Sequence, residues 1–153
     1  MQELMKDQVC SVRRALVKSC MAVVRSMERD GQTASYFVKL IQDLATGKFD
    51  RRQLYAHICV QFLQDKMPAE EFEASYLVKL LALVDDKVAN VRLLVAAAIK
   101  LLAVDFASMY DKSTHWEEIK AAYDKLCVDK DADVVFEAHG TLPERLQNYM
   151  KDK

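Results

Sequence analysis

The chain has 153 residues, of which 52% are hydrophobic and only 3 are Gly and 2 are Pro. A chain of this length suits one domain, and the scarcity of helix breakers favours long helices over a turn-rich sheet. Its 22 basic side chains are balanced by 23 acidic ones. This balance excludes a general nucleic-acid binder, because such a protein needs a basic surface.

The cysteines and the apolar segments predict a reduced, intracellular chain without a membrane span. The cysteines are Cys10, Cys20, Cys59 and Cys127, with no C-x-x-C spacing, and most lie on otherwise aliphatic helix faces. The segment Met1–Val12 is charged and does not resemble a secretory signal. The richest apolar stretch, Val91–Phe106, is interrupted by Arg92 and Lys100 and is too short to cross a bilayer. We therefore expect a cytoplasmic or nuclear protein with no membrane partner.

Amphipathic helices follow one another along the chain. The first long helix is predicted at about Val9–Met27, and the preceding segment Met1–Lys6 is too short to form its partner. The later apolar stripes are Phe37, Leu40, Ile41 and Leu44; Leu54, Ile58, Cys59, Phe62 and Leu63; Phe72, Leu77, Leu80, Leu81 and Val84; Val88, Val91, Leu94, Val95, Ala98, Ile99 and Leu102; and Trp116, Ile119, Tyr123 and Leu126. Asp85 or Asp86 can cap the helix that follows, and Thr114 with Glu117 has the spacing of a capping box.

A motif recurs about every 40 residues. The segments Asp7–Arg13 and Asp86–Arg92 match position for position, and Asp129–Val135 is a third copy with Val in place of Arg. A fourth copy, Phe49–Arg52, fits between the first two. The aligned positions are 13, 52, 92 and 135, so the steps are 39, 40 and 43 residues. Repeats of this length built from paired helices are of the HEAT or armadillo kind.

The repeat predicts an all-α fold: an α-solenoid, a HEAT/armadillo-like superhelix of about four helical hairpins, of which the first is incomplete. Residues 1–153 are expected to form a single HEAT-repeat domain with repeats at about 1–30, 31–67, 68–111 and 112–153. Gly140 is expected to interrupt the last long helix, so that Pro143–Met150 forms a terminal helix. An open end of the stack would expose a helix face and could support self-association.

Two segments, Tyr36–Leu63 and Tyr76–Leu102, carry a resemblance to a known group, most clearly in the string DKVANVR at Asp86–Arg92. On these residues the chain resembles the HEAT-repeat scaffold subunit of protein phosphatase 2A and the regulatory subunits of protein phosphatase 4. Lys87 stands where many such repeats have Pro. Val135 stands where the other copies have Arg, so a ladder of Asp–Arg contacts between turns is expected to break there.

The resemblance implies that protein partners, among them a Ser/Thr phosphatase catalytic subunit, dock on the ridge formed by the turns inside each hairpin. Carried over by position, the candidate ridge residues are Lys48, Phe49, Arg51, Arg52, Asp85, Lys87, Asn90 and Lys130. Phe49 beside Lys48 is the strongest candidate, because an exposed aromatic side chain next to a cation suits an interface hot spot. A second set is expected to cap helices and brace adjacent turns: Asp7, Arg13, Asp86, Arg92 and Asp129.

The sequence contains no recognisable catalytic, metal or cofactor site. His57, His115 and His139 fall in three different repeats, and His57 and Cys59 are two positions apart on one helix and cannot face one ligand. Structural zinc sites need about four convergent ligands, often at C-x-x-C spacing. The 3 glycines nearly exclude a phosphate-binding loop. We therefore predict that the protein is not an enzyme and needs no cofactor.

These observations predict a protein–protein interaction scaffold or regulatory subunit, or a fragment of one, in a Ser/Thr phosphatase complex. The alternative is a HEAT-repeat adaptor of another class, in tubulin binding, nuclear transport or coat assembly. Residues 1–52 carry 10 basic and 6 acidic side chains, whereas residues 53–153 carry 12 basic and 17 acidic ones. The later turns would therefore repel an acidic tubulin surface, which favours the phosphatase hypothesis.

Overall fold

The computed structural model describes residues 2–5, 7, 9–27, 31–105, 110 and 112–139, and over these residues the chain is helical and has no β-strand. The helices are α1 (Gln2–Met5), α2 (Cys10–Met27), α3 (Gly31–Gln42), α4 (Phe49–Gln64), α5 (Ala69–Phe72), α6 (Val78–Leu81), α7 (Ala89–Lys100), α8 (Trp116–Leu126) and α9 (Ala132–His139). A 3-10 turn, Asp43–Thr46, extends α3. Two π turns occupy Glu73–Leu77, between α5 and α6, and Leu101–Asp105, after α7.

The helices form hairpins that stack in two layers. Short turns join α3 to α4, the α5–α6 segment to α7, and α8 to α9. The second helices pack in succession, α2 on α4, α4 on α7 and α7 on α9, while α6 contacts α8 in the other layer. Each hairpin thus packs on its neighbours along the chain, which is the organisation of an α-solenoid. The predicted all-α solenoid is confirmed.

Helix α4 lies at the centre of the stack, between α2 and α7. Its buried side chains cover most of its circumference rather than one stripe: Leu54, Tyr55, Ala56, Ile58, Cys59, Val60, Phe62 and Leu63. A helix that is apolar on several sides must have neighbours on several sides, and here the 3-10 turn after α3 covers a third one. Every residue of the apolar stripe predicted for this helix is buried.

The π turn in the α5–α6 segment receives hydrogen bonds from both helices of the preceding hairpin. The Tyr55 hydroxyl donates to the Tyr76 carbonyl at 2.6 Å, and Gln42 Nε2 donates to the Ser75 carbonyl at 2.6 Å. The Tyr76 ring also packs against Phe62, with 5.1 Å between ring centroids. Directional bonds therefore fix the position of one hairpin on the next, in addition to apolar packing.

The backbone contact predicted for an aspartate at the start of α7 is found, whereas the capping box predicted at the start of α8 is not. Asp86 Oδ1 accepts a hydrogen bond of 2.9 Å from the Val88 N–H just before α7, so this aspartate does satisfy a backbone donor at the helix start. The capping box predicted at Thr114 does not form. Helix α8 begins one residue later, after His115, whose N–H donates to Ser113 Oγ at 3.0 Å.

The exposed side of α2, over residues 11–27, is polar. Helix α1 is only four residues long, so among the described residues α2 has no full-length partner before it. The exposed positions of α2 are all polar or small: Ser11, Arg14, Ala15, Lys18, Ser19, Ala22, Arg25 and Ser26. Self-association through an open end of the stack stays a prediction.

The interruption predicted at Gly140 and the helix predicted at Pro143–Met150 lie outside the described residues. The repeat boundaries given above stay predictions. Among the helices that are described, none has both the length and the hydrophobicity of a bilayer-spanning segment.

Candidate functional site

Two Arg–Asp pairs link consecutive hairpins at their turns. Arg92 on α7 donates from Nε and Nη2 to the carboxylate of Asp129, and both bonds are 2.8 Å long. Arg52 on α4 makes the same paired contact with Asp86, in which the bond from Nη2 to Oδ1 is 3.0 Å. The planar guanidinium matches a carboxylate in this geometry, so each pair fixes the orientation of one turn against the next. We call these two pairs the Arg–Asp ladder.

Each ladder arginine also holds its own turn, and a third arginine does the same. In all three cases Nη1 donates to a backbone carbonyl five or six residues earlier: Arg13 to Asp7 at 2.6 Å, Arg52 to Gly47 at 2.8 Å, and Arg92 to Asp86 at 2.7 Å. Arg13, Arg52 and Arg92 therefore occupy equivalent positions in successive hairpins. These are the positions at which the sequence motif was aligned.

The ladder shifts the protonation equilibria of its members. Burial alone raises the pKa of Asp86, but hydrogen bonds from Arg52 and from the Val88 N–H, together with nearby positive charge, outweigh burial and lower this pKa overall. The pKa of Asp129 is lowered by the same balance, with Arg92 as the main opposing partner to burial. The pKa of Arg92 is raised, chiefly by its hydrogen bond to Asp129. Both pairs are therefore ionised at neutral pH.

The ladder ends at Arg13 on one side and at Val135 on the other. Gly47 and Asp86 are equivalent, because each gives its carbonyl to the arginine of its own turn. Asp86 also gives its carboxylate to the arginine of the preceding hairpin, so the residue that would give Arg13 a carboxylate is Gly47. A side chain at Gly47 would collide with Arg51, whose Cβ would lie 2.9 Å from the added Cβ atom. Val135 stands where the ladder has arginine, and its side chain is buried. Neither position can therefore extend the ladder.

The ladder brings three turns, residues 47–48, 82–88 and 127–131, to one edge of the stack, which we call the ridge. Each turn presents one exposed lysine: Lys48, Lys87 and Lys130. The lysines directly follow Gly47, Asp86 and Asp129, which are equivalent positions in the three turns, so the three lysines are structurally equivalent. Phe49 lies beside the first lysine with 56% of its surface exposed, as an interface aromatic would be.

The remaining predicted ridge residues have different surroundings. The Arg52 guanidinium is bonded to Asp86 and to the Gly47 carbonyl, so this residue braces the turns. Asp85 is exposed and forms an ion pair of 2.7 Å with Lys125 on α8. Arg51 is half-buried. Asn90 is exposed but lines a groove on the face made by the second helices.

One exposed apolar residue on the ridge was not predicted from the sequence. Val128, in the turn after α8, is 80% exposed, the largest exposed fraction among the exposed large hydrophobic side chains. A single valine between the end of one helix and an aspartate carries no local signal, because its exposure depends on where the neighbouring turns lie. The ridge thus has an exposed apolar residue directly after its first turn, Phe49, and another within its third turn, Val128.

Cys20 and Cys59 are buried, and His57 and His115 lie in different hairpins. Burial raises the pKa of the Cys20 thiol and of the Cys59 thiol to about 12 in each case, so both stay protonated and weakly nucleophilic. Burial, followed by the charge of Arg14, lowers the pKa of His57. His115 lies in another hairpin, where Nδ1 is 3.1 Å from a Glu118 oxygen. Within the described part of the chain, no three His, Cys, Asp or Glu side chains are grouped as metal ligands would be.

Comparison with known proteins finds similarity to one kind of protein. Serine/threonine-protein phosphatase 4 regulatory subunit 1 of Homo sapiens is 29% identical over 141 residues, which cover 87% of this chain and 15% of that protein. The proteins of the same name from Rattus norvegicus and Mus musculus are 28% identical over the same length, with the same coverage. No family model and no solved structure matches the chain. The chain thus spans about 15% of the length of the curated relatives it matches, all of which are regulatory subunits.

Proposed function

We propose that the chain is a non-enzymatic interaction module, of scaffold or regulatory-subunit type, that binds a Ser/Thr phosphatase catalytic subunit through the ridge. The observation that carries this proposal is the similarity of 87% of the chain to a phosphatase regulatory subunit. The relatives are much longer, so the proposed role is that of one segment of a solenoid rather than of a complete scaffold.

The chemistry of the ridge supports a protein partner. The ladder neutralises its own charges in pairs and leaves one exposed lysine on each turn. Two exposed apolar side chains are close in sequence to these lysines: Phe49 directly follows Lys48, and Val128 lies two residues before Lys130. A large apolar anchor surrounded by charged side chains is the usual composition of an interface centre and its rim. The ladder fixes the three turns against one another, so little backbone entropy is lost on binding.

The experiment is a binding titration of the purified chain with the catalytic subunit of protein phosphatase 4. Phe49→Ala should weaken binding by roughly thirty-fold, as expected for a hot spot of about 2 kcal/mol. The matched control is Phe136→Ala, because Phe136 on α9 is 48% exposed but lies outside the ridge. Absence of wild-type binding at micromolar concentrations, or equal binding by both variants, would contradict the proposal.

A specific observation keeps the tubulin-type adaptor as a second candidate. From the sequence, the acidic residues of the later turns were expected to repel an acidic partner. In the structure, however, Asp85, Asp86 and Asp129 all form ion pairs within the chain. Lys48, Lys87 and Lys130 stay exposed and suit an acidic surface. Microtubule co-sedimentation tests this candidate. Salt-sensitive co-sedimentation that is lost in a Lys87→Glu variant would support it, and no sedimentation at low salt would exclude it.

A further inference from the structure

A groove with a mixed polar and apolar lining runs along the second helices of successive hairpins. It has a volume of about 320 Å³ and is lined by residues of α2, α4 and α7, three successive helices of the stack. A volume of this order lies in the range of small ligand sites and accommodates a few residues of an extended peptide. No residue of the Arg–Asp ladder lines it.

One side of the groove carries two arginines without a carboxylate partner. Within the described part of the chain, the Arg13 guanidinium binds only the Asp7 carbonyl, and the Arg14 guanidinium has no hydrogen-bond or ion-pair partner. Arg13 lacks an acidic partner because Gly47 occupies the position at which the later turns have Asp86 and Asp129. An arginine pair left without an anion is a ready site for one, since a guanidinium binds carboxylates in a two-bond geometry.

The rest of the groove carries hydrogen-bonding groups above an apolar floor. Asp50 Oδ1 is buried and finds no hydrogen-bond partner among the described residues. A buried acceptor without a donor is costly, so a ligand N–H at this point would be stabilising. The side-chain amides of Gln53 and Asn90 also line the groove and can each donate and accept. The floor consists of Leu54, Leu93 and Leu94.

We propose that this groove binds an extended, acidic peptide segment of a partner protein. Carboxylates of the peptide bind Arg13 and Arg14, its backbone amides bond with Asp50, Gln53 and Asn90, and an apolar side chain packs on the leucine floor. This site is separate from the ridge and does not depend on the binding of a phosphatase. It gives the chain a second surface with a different kind of partner.

The test is a nuclear magnetic resonance titration of the full chain with the capped peptide acetyl-Leu-Glu-Glu-Leu-amide. The side-chain amide signals of Gln53 and Asn90 are the direct reporters, because both groups line the groove. Saturable shifts of these signals are expected, and the Gln-containing peptide acetyl-Leu-Gln-Gln-Leu-amide should bind at least about tenfold more weakly. The Arg14→Glu variant should weaken binding of the acidic peptide by a similar factor.

The matched control is Lys18→Glu, which makes the same charge change on the same helix at an exposed residue outside the groove. Binding by this variant within about twofold of wild type supports a local site, because long-range attraction would affect both variants alike. Four results would overturn the proposal: no shift of the two reporter signals at millimolar peptide, equal binding of the two peptides, unchanged binding by Arg14→Glu, or equal losses in the two charge-reversal variants.

Discussion

Arg92 and Asp129 form a two-bond ion pair across 37 positions of the chain, with only 5% of the arginine side chain and 11% of the aspartate side chain exposed. The same arginine donates its third bond to the carbonyl of Asp86, whose carboxylate is held by Arg52 of the preceding hairpin. Each arginine therefore binds a carboxylate of the next turn and a backbone carbonyl of its own turn, and these contacts connect consecutive turns. This connection positions the exposed residues of the ridge.

Removing the buried arginine of the ladder should destabilise the fold. Arg92→Ala leaves the Asp129 carboxylate without its counter-ion and frees the Asp86 carbonyl, which should cost about 3 kcal/mol of unfolding free energy. Urea denaturation followed by circular dichroism measures this loss. Arg14→Ala is the control, because Arg14 is exposed and should change stability by less than about 0.5 kcal/mol. Equal stability of the two variants would show that the ladder contributes nothing.

The ladder predicts a loss of stability in acid. The pKa values of Asp86 and Asp129 are lowered in the folded chain, so their contribution is present above the unfolded carboxyl pKa of about 3.9 and is lost as the pH falls through the lower, folded pKa. The unfolding free energy should therefore decline below about pH 4. Asp129→Asn should flatten this decline by up to about 1.4 kcal/mol per pH unit. Parallel curves for the variant and the wild type would contradict the assigned shift.

Two buried tyrosines should respond in opposite ways to removal of their hydroxyl groups. Tyr55→Phe deletes the bond to the Tyr76 carbonyl and should cost about 1–2 kcal/mol. Tyr76→Phe removes a buried hydroxyl that has no hydrogen-bond partner among the described residues, so it should be neutral or stabilising. Chemical denaturation of both variants gives the comparison. A greater loss for Tyr76→Phe would reverse the assigned roles.

The solenoid could be predicted from the sequence because its signals are local or periodic. The string at Asp86–Arg92 and the stripes of α4 and α7 specify paired helices, and the spacing of Arg13, Arg52 and Arg92 specifies equivalent turns. Spacing alone could not say which turn supplies the carboxylate for Arg52. For this reason the sequence placed Arg52 on the ridge, whereas the structure places it in the ladder.

Other features depend on contacts between hairpins and left no signal in the sequence. The π turn at Glu73–Leu77 is supported by Tyr55 and Gln42 of another hairpin. The exposure of Val128 and the groove beside Arg14 result from how successive helices pack. The capping box at Thr114 was wrong because the helix begins one residue later than its pattern indicates.

Hydrogen–deuterium exchange of the chain, alone and with the purified protein phosphatase 4 catalytic subunit, tests the proposed ridge most directly. Binding at the ridge should slow exchange in residues 47–48, 82–88 and 127–131, while the outer helices α3 and α8 are unchanged away from these turns. Under conditions where most of the chain is bound, unchanged exchange on the ridge, or protection confined to the outer helices, would contradict it.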